Sequence, residues 1–203
     1  ALPIFALKKI SLLKTDKDFR NFVISRALFL CSVLSAPFFV ILAQQQSNSS
    51  NYLLGLFILA GGCADFFSSI IWGKLSDKSS KKAMIRGATI TSILGFLVYF
   101  LDTFYENIFS TIWIMPLIYF ALTIGYQGIR IGRKTYLIDL AGGNKRTDYV
   151  AVSNSIIGFV LLFTGFIGVL SSIIGLNGII LLLAIIGCIG VYMASKLPNV
   201  TSL

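Results

Sequence analysis

The sequence predicts an all-α membrane protein whose six transmembrane helices leave both chain termini on the cytoplasmic side. Two observations carry that prediction. Six runs approach the roughly 20 apolar residues that a helix needs to cross the hydrocarbon core, and the 17 Lys and Arg residues all cluster at or near the run ends on one side of the membrane. The composition agrees: 56% of the 203 residues are hydrophobic, only 12% are charged, and the mean hydropathy is +0.86. That is more apolar surface than a water-soluble core of this size can hide.

The apolar runs are roughly 22–43, 52–72, 84–101, 108–129, 150–174 and 178–195. Residues 1–20 form a lead-in, 21–198 the membrane domain and 199–203 a tail. In the lead-in Leu7, Ile10, Leu13 and Phe19 interleave with Lys8, Lys9, Lys14 and Lys17, a pattern suited to an interfacial helix or linker lying on the bilayer. The gap from Gln44 to Asn51 is polar and uncharged, so Gln44, Gln45 and Gln46 read as a solvated outer loop, with Asn48 a formal glycosylation acceptor. Gly73 to Lys82 is basic, Asp102 to Asn107 acidic, Arg130 to Tyr149 basic, and Gly175 to Asn177 a tight turn.

Six cations lie between Lys8 and Arg26, five between Lys74 and Arg86, five between Arg130 and Arg146, and the last is Lys196. Positive charge in short loops is retained in the cytoplasm, which orients the bundle. The formal net charge of +9 therefore follows from topology, and its partner is the anionic inner leaflet of the bilayer, not a nucleic acid. The absence of His removes the commonest metal ligand and neutral-pH proton shuttle, and the sequence has no Asp-rich metal motif or Gly-x-Ser-x-Gly. No catalytic residue, metal or cofactor is expected, and the chain does not read as an enzyme. Cys31, Cys63 and Cys188 share no ligand spacing and read as small core residues.

After the second run comes Gly73-Lys74-Leu75-Ser76-Asp77-Lys78-Ser79-Ser80-Lys81-Lys82. This resembles the signature loop between the second and third helices of a six-helix half in the major facilitator superfamily, with Ser80 where the family usually has Gly. Gly125 to Asp139, where glycines alternate with Arg130 and Arg133, is similar to that family's fourth-helix exit. The resemblance spans Asp18 to Pro198 and implies a half bundle of a twelve-helix secondary transporter. It implies that Gly73, Leu75, Asp77, Lys78, Lys81 and Lys82 form a cytoplasmic gate. In the family the equivalent Asp caps a helix of the opposite half and pairs with an Arg, for which Arg130 and Arg133 are the candidates. The opening Ala, the basic lead-in and the finish soon after the sixth run look like the C-terminal half, helices seven to twelve. The implied partners are the N-terminal six-helix half, the lipid bilayer, a small solute and a proton or other coupling ion. The implied location is a bacterial inner (plasma) membrane.

Within the apolar runs the exceptional charge is Asp65, whose neighbours at helical spacing are Gly61, Gly62, Ser68 and Ser69. It is either a substrate-cation or proton site, or a hydrogen-bonding partner between helices near the inner gate. Arg26, one turn into the first run, either snorkels to the headgroups or pairs with Asp65 or a gate residue. Tyr119, Tyr126, Gln127 and Asn154 either meet a solute or pack between helices. Pro37 and Pro116 can kink their helices. The alternative to a transporter is a non-transporting six-helix binding or assembly protein, or a channel-like oligomer.

Overall fold

The computed structural model describes residues 11–46, 51–105, 108–142 and 145–200. Residues 1–10, the Asn48 acceptor, Asn144 and residues 201–203 lie outside the described residues. The described chain is helical, without strands: α1 (Leu12–Thr15), α2 (Lys17–Val33), α3 (Ser35–Gln46), α4 (Asn51–Lys78), α5 (Ser80–Phe104), a 3-10 turn (Ile108–Ser110), α6 (Ile114–Ala141), α7 (Arg146–Thr164) and α8 (Phe166–Ser195). Six helical segments are long and apolar enough to cross a membrane, with α2 and α3 together making the first, so the chain is a multi-pass membrane protein.

Helix starts follow local chemistry. Asp16 caps α2 by accepting the amide of Phe19 at 2.9 Å, and Ser79 caps α5 by accepting that of Lys82 at 3.3 Å. Pro37 has no N–H for the carbonyl of Val33, and the first crossing is broken there, at Leu34. Pro116 instead sits in the first turn of α6, where a missing N–H is tolerated, so it produces no kink. Gly175, at φ 76° and ψ 167°, turns the chain inside α8, a conformation that glycine adopts without a Cβ penalty. Residues before Gly175 therefore continue the crossing begun by α7, past a break at Gly165, and those after it return.

Several helices outrun their apolar stretches. α4 continues to Lys78 and α6 to Ala141, so the two basic gaps are mostly helix, with Ser79 alone separating α4 from α5. Hydropathy marks the hydrocarbon slab, whereas a helix ends where its backbone finds caps. At the opposite end α3 runs through Gln46, whose side-chain amide donates to Asp102 together with that of Asn177. The glutamines are therefore the end of a helix and not a free loop.

α5 lies between α6 and α8, α4 packs on α6, and α2 packs on α8. Two apolar cores result. One, towards the basic end, contains Phe19, Phe22, Phe29, Met84, Ile129, Tyr136 and Val152; the other contains Phe39, Leu42, Phe57, Val98, Leu122, Ile179 and Leu183. Tyr126 packs against both, and its hydroxyl meets Ser35 Oγ at 2.7 Å beside the break in the first crossing. Cys63 and Cys188 are exposed and Cys31 is half-buried, so the thiols are not core residues as expected. An apolar outer surface accepts a thiol as readily as a core does.

The basic end is tied by polar contacts between helix termini. Tyr149 donates to the second oxygen of Asp16 and its ring lies 4.3 Å from that of Phe19. Tyr136 donates to the carbonyl of Pro198 at 3.0 Å. Burial pushes the Asp16 carboxyl up, but the amides of Phe19 and Asp18, the Tyr149 hydroxyl and the charge of Lys145 outweigh it and leave the pKa below the usual carboxylate value. A carboxyl whose pKa is lowered on folding stabilises the fold above its unfolded pKa, about 3.9, and loses that contribution as pH falls through the folded value. Asp16→Ala should therefore cost about 1 kcal/mol at pH 7, the usual worth of an N-cap. Thermal unfolding in detergent should show the gap to wild type narrowing below about pH 4; a gap independent of pH would contradict this assignment.

Candidate functional site

Between the two cores the bundle has a polar waist. α6 builds its main face through Tyr119, Thr123, Tyr126, Gln127, Arg130 and Arg133, which recur at helical spacing and line one cavity. The cavity measures about 250 Å³, and Leu30 and Val33 of α2, Asp65 of α4 and Ile129 of α6 complete it. Gln127, itself buried, donates its side-chain amide to the Asp65 carboxylate, while its own carbonyl is buried without a partner. Asp65, Tyr126 and Gln127 are thus brought together with Arg130 and Arg133. Because α4 extends to Lys78, Asp65 lies in the middle of its helix, and its side chain is exposed.

The glycines that alternate with these arginines face the other way. A Cβ on Gly125 would lie 2.7 Å from Thr91, one on Gly132 2.6 Å from the Met84 amide, and one on Gly128 2.8 Å from the Trp72 ring. Trp72 also donates to the carbonyl of Ile124 at 2.8 Å. Glycine at these positions lets α4 and α5 seat directly on the α6 backbone, which fixes the rotation of α6 and aims its polar face at the cavity.

Arg26 does not pair with Asp65. Its guanidinium reaches across to α7, donating to Ser153 Oγ at 2.6 Å and to Asn154 Oδ1 at 2.8 Å. A long side chain partway along α2 finds these neutral acceptors without extending to the helix end. Asn154 accordingly lies away from the Asp65 cavity.

The signature segment divides in the same way. No hydrogen bond or ion pair joins Asp77 to Arg130 or Arg133; Asp77 is exposed in the last turn of α4, and both arginines face the cavity. Gly73 makes no close approach, since a Cβ there would meet nothing within 4 Å. Leu75 is half-buried, and Lys78 and Lys82 are exposed. Lys81 donates to the carbonyls of Ser195, at 2.9 Å, and Leu197, placing a cation at the C-terminus of α8, where the helix dipole favours one. Asp139, which had no assigned partner, accepts from Ser80 Oγ at 3.2 Å at the start of α5.

The sequence reading missed Ser35, Thr123 and Ser153, because single hydroxyl residues in apolar helices carry no pattern that separates a site from helix packing. Ser32 and Ser92, both buried beside Gly187 where α2, α5 and α8 meet, are hidden for the same reason. No three His, Cys, Asp or Glu side chains converge among the described residues. No family model, curated protein or solved structure matches the chain.

Proposed function

We propose that this chain is one six-helix half of a major facilitator-type secondary transporter, moving a small solute across a bacterial inner membrane by alternating access. The observation that carries the reading is an exposed carboxylate, Asp65, in the middle of a membrane-length helix. An ionised side chain facing hydrocarbon costs several kcal/mol, so that face of α4 must meet water or another protein surface. A water-lined path between two halves supplies both. In this reading Asp65, Gln127 and Tyr126 form one wall of the path, and the other wall belongs to the N-terminal half. Both termini and the basic end face the cytoplasm.

Asp77 supports the same reading. An anion in the last turn of a helix is opposed by that helix's own dipole, and Asp77 has no hydrogen-bond or ion-pair partner among the described residues. A positively polarised helix N-terminus from the opposite half would stabilise it.

Uptake by the full-length protein in proteoliposomes, over a solute panel with and without a pH gradient, tests the proposal. The full-length protein should accumulate a solute, whereas the isolated six helices should transport nothing. A stable homo-oligomer of the six helices that conducts or binds by itself would favour the channel or assembly alternative.

A further inference from the structure

A second cavity, of about 280 Å³, lies between α2, α6 and α7 towards the basic end. Arg26, Arg133, Lys134 and Asn154 supply its polar lining and Leu137, Ile138 and Val150 its apolar lining. Three cations line this space and no carboxylate does. The hydrogen bonds of Arg26 go to neutral oxygens, and its Nε is buried without a partner. Arg133 donates no hydrogen bond among the described residues, and the two guanidinium groups repel one another. Concentrated like charge with unused donors inside a bundle is unfavourable unless an anion shares the space. Guanidinium groups match the oxygens of a phosphate or carboxylate in geometry as well as charge.

We propose that this cleft binds an anionic oxygen group, a phosphate or carboxylate, held by Arg133 and Lys134 beside the charge of Arg26. The volume admits such a group with water, since a liquid water occupies about 30 Å³. Arg26 lies nine residues into α2, about 13 Å from its start, and Asn154 is at similar depth in α7, which suits a phospholipid headgroup drawn in from the surface. A soluble anion entering from the basic end would offer the same chemistry. The site is separate from Asp65, although Arg133 borders both cavities, and it stands whether or not the chain transports a solute.

The purified protein can be probed with phosphatidylglycerol against phosphatidylcholine by native mass spectrometry. Thermal shift with inorganic phosphate against sodium chloride of equal ionic strength gives the second arm. The wild type should retain phosphatidylglycerol preferentially if the source is lipid, or be stabilised by phosphate beyond chloride if it is a soluble anion. In either case Arg133→Gln should weaken the effect about tenfold, as loss of a charge-assisted hydrogen bond would, while Lys82→Gln, exposed at the same end, should not. Because Lys134 is exposed, Lys134→Gln keeps the fold if Arg133→Gln does not, and should itself lower binding severalfold. No preference in either arm, or equal binding by the Lys134 and Lys82 variants, would overturn the proposal.

Discussion

Asp65→Asn in the full-length protein should lower gradient-driven solute accumulation about 10- to 100-fold while leaving the amount of folded protein unchanged. The substitution keeps the shape of the side chain and an oxygen that can still accept from Gln127. What it removes is the negative charge and the capacity to carry a proton. With the Gln127 contact kept, the loss is that of a charge-assisted contact from Asp65 to the solute or coupling ion, about 1.5–3 kcal/mol. Solute exchange without a gradient divides the roles. If exchange survives, Asp65 serves the coupling ion; if exchange is lost as well, it contacts the solute. Unchanged accumulation in the variant would take Asp65 out of the pathway and leave it as a contact between α4 and α6.

The sequence made the crossings legible because hydropathy and charge are local quantities, and a run such as 178–195 can be counted without knowing what it packs against. The face of α6 that carries Tyr126, Gln127, Arg130 and Arg133 was partly legible too, since residues at helical spacing must share a side. The partner of Arg26 was not. Its bonds to Ser153 and Asn154 span more than 120 residues, and nothing in the composition of α7 marks those two positions as acceptors. The same limit separates Lys81 from Asp77. Both belong to one apparent motif, yet Lys81 closes the end of α8 within this bundle, while Asp77 is exposed and has no hydrogen-bond or ion-pair partner among the described residues.

Glycine placement yields the largest expected effect on stability. Gly87 of α5 faces Gly125 of α6, and a Cβ on Gly87 would lie 2.6 Å from the Gly125 carbonyl oxygen and 2.7 Å from the Ile129 amide nitrogen. Both are backbone atoms, so no side-chain rotation relieves the contact and the helices themselves must separate. Gly87→Ala should destabilise the protein by about 1–3 kcal/mol, the usual cost of overpacking, and Gly87→Leu by more. Gly158 of α7 is the control, because a Cβ there meets nothing within 4 Å. Gly158→Ala should be neutral or should stabilise slightly, since alanine suits a helix interior better than glycine by about 0.5–1 kcal/mol. Unfolding in detergent, followed by circular dichroism, orders the variants; equal midpoints for Gly87→Ala and Gly158→Ala would mean that α5 and α6 are not in direct backbone contact. The consequence reaches the waist. Pushing α5 off the glycine face of α6 turns the opposite face, with Tyr126 and Gln127, so Gly87→Ala should also weaken whatever the Asp65 cavity binds, although Gly87 itself does not line it.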